Sequence, residues 1–398
     1  MEIVRKASAG RLNRGDLKVS VGPGKGRNIR VESSIERMYG DRIRGDVAAE
    51  LDRLNVDNID ILVEDDGALT YVVSARVEAA VAKASVEELP PRSPEKNRSF
   101  DPERLRRSRL YLPGNNPHLF TNAWLFGADL LLLDLEDSVP PAEKPATRYV
   151  VRNALLDLDF GESELAVRIN PLDSPFGGDD LEVIVPAGPG LIVLPKAESA
   201  ADIEELNSRI ASIQKKAGTD HEIGILPIIE SAAGAINAAE IAESRGVAII
   251  AFGAEDFTKD IGAQRTREGK EQLLARQMVV LAAKAAGIQA SDTVFSDLGD
   301  EEGLISSTEE AKSLGFDGRG LIHPAQIEPV HRIFAPSIQE LEYAVRVVEA
   351  AKEAEKSGSG VVAIGRKMID PPVVARARRQ LELARKMDIE IPEPGEDD

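Results

Sequence analysis

The stretch LLLLDLEDSVPP, residues 130–141, starts as four consecutive leucines and ends by releasing Asp134, Glu136 and Asp137 before two prolines stop it. A short unbroken apolar run marks a strand buried on both faces, as in a parallel sheet wrapped in helices. Acidic residues at its C-terminal end mark the edge where such sheets and barrels hold their chemistry. Seven further runs repeat the pattern: RLYLP, LAVRIN, LIVLPKA, IGILPIIE, VAIIAFGAED, TVFSD and RGLIHP. Strands alternating eight times with helical stretches predict an α/β fold, a (β/α)8 TIM barrel. Every run but the first ends in polar residues. Besides the acidic trio these are Arg168 and Asn170, Lys196, Glu230, Glu255 and Asp256, Asp297, and His323. Eight spokes thus converge on one site.

Composition agrees and excludes several classes. The 398 residues are 42% hydrophobic and only 4% aromatic, which suits parallel strands rather than an aromatic nucleic-acid platform. A formal net charge of −19 repels a phosphate backbone, so no nucleic-acid partner is expected. With no cysteine, disulfides, thiolate nucleophiles and Cys-based metal centres are excluded together. No run has the length of a signal peptide core or a membrane span, and a cytoplasmic protein is expected.

A composition shift at LPPRSPEKNRSFDPERLRR divides the chain. Residues 1–88 read as a small α+β domain. Its expected elements are a strand LKVSVGP, a helix opened by a Ser33 to Glu36 capping box, strands NIDILVED and LTYVVSA, and a helix RVEAAVAKAS. Residues 89–104 are a linker, 105–335 the barrel, and 336–398 a C-terminal helical lid or oligomerisation segment.

Acidic strand ends, with no cysteine and only four histidines, suit a hard divalent cation held by oxygen. Glu230 and Asp256 end consecutive strands and are the expected Mg²⁺ ligands; a lone strand-end carboxylate would otherwise cap the next helix. Arg168 offers a planar fork to a substrate carboxylate. Metal and guanidinium together would stabilise an enolate-like transition state, which points to making or breaking a C–C bond beside a carbonyl. Glu136 and Asp137 either hold metal-bound waters or balance Arg168. Lys196 either forms a Schiff base or pairs with the surrounding carboxylates, the latter favoured because acidic neighbours raise a lysine pKa. His323 touches substrate or caps the last helix.

The pieces RSRLYLPGNNP, GADLLLLDLEDSVPPAEK, VRINPLDSPFGGDDL, VLPKAES, PIIESAAGAINAAEI, AFGAEDFTKDIG, DTVFSDLGDEEGL, LGFDGRGLIHPAQI and GRKMIDPPVVARAR resemble the citrate lyase β-subunit family, which includes malyl-CoA and citramalyl-CoA lyases. They cover nearly all of residues 105 to 390. The resemblance implies Mg²⁺ on Glu230 and Asp256 and an oxo-acid on Arg168. It also implies that Asp370 acts as acid/base in a neighbouring subunit's site, in a trimer or dimer of trimers. Arg109, in the first matching piece, joins the substrate-binding candidates. By its sequence alone Asp370 reads as a helix N-cap before proline.

AGRLNRGDLKV, VESSIERMYGDRIRGDVAAELDRLNV and VEDDGALTYVVSARVEAAVAKAS resemble the citrate lyase acyl carrier (γ) subunit, but Arg14 stands where that family carries its attachment serine. No covalent arm is therefore expected. The implied activity is a Mg²⁺-dependent lyase cleaving a citryl-type 3-hydroxyacyl thioester into oxaloacetate and an acyl thioester. The alternatives are a malyl-CoA or citramalyl-CoA lyase on free CoA esters, or a non-catalytic carrier or scaffold subunit. A citrate lyase α-like partner would fit the first and last readings.

Overall fold

The computed structural model describes residues 1–94, 100–357, 362–364 and 367–393. Its N-terminal sheet consists of β1 (Ala7–Gly10), β2 (Leu17–Gly22), β3 (Arg27–Ser33) and β4 (Ile59–Asp65), in the order β1-β2-β4-β3. The β3–β4 pair is parallel and the others antiparallel, so the chain must cross over between β3 and β4, which it does through helix α1 (Glu36–Arg53). Helix α2 (Thr70–Ala84) packs on β1 and β2.

Two expectations for this domain are corrected. LTYVVSA is no strand but enters α2, whose Tyr71, Val72, Val73, Ala75 and Val77 are all buried. Apolar residues on every side of a helix mimic a buried strand. Here the cause is that α2 lies between its own sheet and barrel helix α3 (Lys144–Asp157). The Ser33 to Glu36 capping box does not form. Ser33 ends β3, where its hydroxyl donates to Asp65 (2.6 Å) and accepts from the Ile35 amide (3.1 Å), and Ile35 is the N-cap.

The barrel closes through eight parallel strands: β5 (Ser108–Pro113), β6 (Leu130–Asp134), β7 (Glu164–Arg168), β8 (Leu191–Leu194), β9 (Gly224–Ile229), β10 (Ile249–Phe252), β11 (Gln289–Asp292) and β12 (Gly318–Leu321). The period of two along β6 explains the leucine run. Leu130 and Leu132 point inward with Ala166, Leu191, Val193, Leu226 and Ile228, while Leu131 and Leu133 join the core shared with Val150 and Val151 of α3. β11 lies one strand length before the expected TVFSD. Its polar sequence QASD hid it, and Asp297 falls in an exposed loop where it accepts from the Gly299 amide. The polar side chain at the true strand end, Asp292, is buried against Arg276 (2.8 Å).

After the barrel come a helix (Ile338–Ser357), two short paired strands (Val362–Ile364 and Lys367–Ile369) and a helix (Pro371–Lys386). Linker residues 95–99, residues 358–361 and 365–366, and tail residues 394–398 lie outside the described residues. Among the described residues no helix is long and apolar enough to cross a membrane.

The two domains join through charge as well as apolar packing. Glu78 of α2, fully buried, meets Arg53 of its own domain and Arg152 and Asn153 of α3, with Asn153 at 3.1 Å. Tyr71 donates its hydroxyl to the Pro117 carbonyl (2.8 Å). Removing one partner from such a buried cluster leaves the others uncompensated. Glu78→Ala is expected to cost about 3–5 kcal/mol of stability, read as a lowered urea midpoint; an unchanged midpoint would show that the interface does not depend on this carboxylate.

Candidate active site

The β-strand period sets the mouth of the barrel. On β5 the inward side chains are Arg109, Tyr111 and Pro113; on β6 Leu132 is followed by Asp134; on β7 Ala166 is followed by Arg168. Asp134 is paired in register with Arg168 on the neighbouring strand. Their side chains make a bidentate ion pair, Nε to Oδ1 at 2.6 Å and Nη2 to Oδ2 at 2.8 Å, at 10% and 2% side-chain exposure. Burial alone would raise the Asp134 carboxyl. Arg168, the Ser138 hydroxyl (2.5 Å) and the Glu136 amide (3.0 Å) hold it below the usual carboxylate range instead.

Arg168 also explains the rest of the trio. Its Nη1 lies 2.8 Å from Glu136 Oε2, close enough for an ion pair although not aligned as a hydrogen bond, and 3.3 Å from exposed Asp137. Burial pushes the Glu136 carboxyl up to about 8, with Arg168 opposing and Asp137 and Glu230 reinforcing the rise. Glu230 leaves the end of β9 buried, accepts from the Lys196 amide at 2.8 Å and is pushed up to about 7, chiefly by burial and then by nearby Asp256 against that amide's stabilisation. Asp256, a third exposed, stands in the first turn after β10. A Cβ at Gly253 would come 2.7 Å from Glu230 Oε2, so glycine is what lets β10 end beside this carboxylate.

These residues surround a pocket of about 450 Å³ lined by Arg109, Tyr111, Arg168, Glu230 and Asp256 among others. Arg109 is 2% exposed, and its Nε and Nη1 are buried without a hydrogen-bond partner. Donors left in that state call for an anionic oxygen. Lys196 takes a left-handed backbone (φ 54°) and reaches over the mouth half-exposed, with Nζ 3.9 Å from both Glu136 and Asp256. Its ammonium is thus within ion-pair reach of both carboxylates.

Two expected site residues lie elsewhere. His323 is exposed and accepts the Ala325 amide on Nδ1 (3.1 Å), so it caps the turn after β12 and is absent from the pocket lining. Asp370 is the exposed N-cap of the last helix. That helix ends against the opposite end of the barrel, where Lys386 meets Glu103 (3.3 Å) and Arg379 meets Asp317 (3.5 Å). Three participants were missed. Tyr111 has the Arg168 and Arg109 guanidiniums 5.1 and 5.5 Å from its ring centre. Lys144 is buried on the Leu135 and Glu136 carbonyls and Asn170 (3.0, 2.5 and 2.6 Å). Ser138 supports Asp134. Tyr111 was legible as the next inward position after Arg109; the other two have no sequence signal of their own.

Breaking the central pair tests this arrangement. Asp134→Ala is expected to destabilise the fold by about 3–5 kcal/mol at neutral pH. Because the folded pKa of Asp134 lies below its unfolded value of about 3.9, the difference should be full above that pH and vanish as pH falls through the folded value. A difference between wild type and variant that disappears already near neutrality would contradict the assignment.

Comparison with known proteins now gives the geometry a context. The N-terminal domain matches, over residues 4–84, the acyl carrier family described as the malonate decarboxylase delta subunit. The citrate lyase subunit beta of Leuconostoc mesenteroides subsp. cremoris is 47% identical over 287 residues, covering 71% of this chain and 94% of the relative. The Mycobacterium tuberculosis protein CitE, solved with magnesium, acetoacetate and coenzyme A, superposes with a TM-score of 0.60 at 33% identity, covering 71% of this chain and 98% of the other. The citrate lyase beta subunit of M. tuberculosis, solved with oxaloacetate and magnesium, has a TM-score of 0.51 at 34% identity, covering 58% and 98% of the two chains. All three relatives are nearly used up by these matches, which leaves little in them to correspond to the N-terminal domain. Residues 107–324 match the HpcH/HpaI aldolase/citrate lyase family, and the chain belongs to it.

Proposed function

We propose that the chain is a Mg²⁺-dependent carbon–carbon lyase that cleaves a citryl-type 3-hydroxyacyl thioester into oxaloacetate and an acyl thioester, in the cytoplasm. The observation that carries this reading is the pairing of two adjacent carboxylates, Glu230 and Asp256, with two guanidiniums, Arg168 and the unsatisfied Arg109, around one pocket. The relatives solved with magnesium and oxo-acids support it.

The donor set fits the ion. Magnesium usually takes one or two protein carboxylates and keeps its remaining positions for water and substrate oxygens, and Glu230 and Asp256 supply two. When bound, the ion would polarise the oxo-acid carbonyl as a Lewis acid. Arg168, held rigid by Asp134, presents Nη1 to the oxo-acid carboxylate at little entropic cost, and Arg109 offers its free N–H groups to a second anionic oxygen. Glu136 and Asp137 are placed to accept from water at the mouth, and Lys196 screens the carboxylates from one another.

Cleavage needs a base for the 3-hydroxyl proton; the C–C bond then breaks as the oxo-acid carbonyl forms, and the thioester enolate takes a proton. Asp370 is the proposed base, supplied by a second copy of the chain. In its own chain it is exposed, and the helix it opens leads away from the mouth. The enzyme is thus proposed to be an oligomer with shared sites, a trimer or a dimer of trimers.

Three measurements decide the reading. Purified protein with Mg²⁺ should release an oxo-acid from citryl-CoA; cleavage of malyl-CoA or citramalyl-CoA alone would move the substrate assignment. No cleavage of any of the three would leave a partner-supplied, carrier-bound thioester or a scaffold role. Asp256→Ala should abolish turnover and the calorimetric Mg²⁺ signal while keeping the melting temperature; unchanged activity would reject the metal assignment. Arg168→Ala and Asp370→Ala proteins, each inactive, should regain activity when unfolded and refolded together, and failure to complement would place Asp370 outside the shared site.

A further inference from the structure

The N-terminal domain rests against the loop that follows β5, at the rim of its own barrel. Its loop of residues 11–16, RLNRGD, lies on residues 115–118, which directly follow the pocket-lining Pro113 at the end of β5. Arg11 donates to the Asn116 side chain (2.5 Å) and the Asn115 carbonyl (3.2 Å) and pairs with Glu143 (3.4 Å). Asn115 donates to the same Glu143 (2.8 Å). A Cβ on Gly15 would stand 3.1 Å from that of His118, so the loop touches the rim where a larger residue would be held off.

The loop is rigid. Asp16 at its base is buried in a bidentate pair with Arg76 (2.7 and 2.9 Å). Its backbone is tied by Gly15 to the Asp66 carbonyl (2.9 Å), by Asp16 to the Asn13 carbonyl (2.9 Å) and by the Arg14 amide to the Asn13 side chain (2.9 Å). Gly10, with φ 77°, lets the loop leave β1, since a Cβ there would strike the Leu17 carbonyl at 2.1 Å. Of the loop's exposed side chains, Leu12, Asn13 and Arg14, only Arg14 is charged, and it precedes Gly15, which meets exposed His118 of the rim.

We propose that the N-terminal domain is a fixed wall of the substrate entrance and that Arg14 holds a phosphate at the far end of the thioester substrate. The proposal rests on the thioester-lyase reading above. A guanidinium forks onto phosphate oxygens. In a chain of net charge −19 a cation at the mouth also offsets the repulsion that a polyanionic substrate meets on approach. The fixed docking excludes a shuttling role: moving the domain away would strip Glu78 of Arg152 and Asn153 and expose the apolar face between α2 and α3.

The test compares full-length wild type with Arg14→Glu and Arg14→Lys. On the coenzyme A ester that wild type cleaves, Arg14→Glu should raise KM about tenfold with kcat nearly unchanged, as loss of one charge-assisted contact does. Arg14→Lys should stay near wild type. The pantetheine ester of the same acid, which has no phosphate, should show no such KM difference. Equal KM changes on both esters, or none, would overturn the proposal. Calorimetric titration with coenzyme A alone reads the same contact without turnover. About tenfold weaker binding by Arg14→Glu supports the contact even if the lyase reading fails, whereas equal affinity, or no binding by wild type, overturns it.

Discussion

The bidentate pair between Asp134 and Arg168 is the constraint on which the mouth of this barrel depends. It joins adjacent strands at the level where the apolar interior gives way to polar residues, and it decides how every other charge there is used. With Nε and Nη2 committed to Asp134, only Nη1 of Arg168 faces Glu136, Asp137 and the pocket. The mouth gathers the carboxylates of Asp134, Glu136, Asp137, Glu230 and Asp256 around Arg109, Arg168 and Lys196, while Glu255, also at the pocket, is paired with Arg265. A buried excess of negative charge is costly, and its signature is the upward push on Glu136 and Glu230. A divalent cation held by Glu230 and Asp256, as proposed above, would offset that excess.

Much of this was legible because barrel strands advertise themselves twice, by an apolar run and by the polar residue that ends it. The rule holds for β6 to β10 and gives Asp134, Arg168, Glu230 and Asp256 without any structure. It failed at β11, where QASD is a strand only because its neighbours β10 and β12 complete the ring; the more apolar TVFSD behind it attracted the assignment and carried Asp297 with it. It failed again at LTYVVSA, where a helix enclosed on all sides has the composition of a strand. Tertiary surroundings, not local propensity, settled both.

His323 shows the opposite limit. Its position before proline at a strand end satisfied the pattern for a site residue, yet the hydrogen bond that uses its Nδ1 is local, two residues on. Sequence spacing could not separate a capping imidazole from a catalytic one. Asp370 lies at the same limit: as an exposed N-cap it looks ordinary within one chain, and the role proposed for it lies in the site of a second copy. Arg109 carried no strand-end signal, and its importance emerged from burial, which leaves two of its nitrogens without partners.

The two appendages of the barrel are attached at opposite ends, and this orders the functional proposals. The N-terminal domain is bound to the loop after β5 by Arg11 and Tyr71 and along the side of the barrel by the Glu78 cluster, which places its proposed contribution in cis. The C-terminal helix is held at the far end by Lys386 and Arg379, and its leading residue Asp370 is free to serve another chain. A carrier domain needs mobility to carry, and the buried contacts of Glu78 with Arg152 and Asn153 oppose such movement here. The use proposed for it is geometric, as a surface at the barrel rim that holds Asn115, Asn116 and Glu143 through Arg11 and offers Arg14 to an incoming substrate.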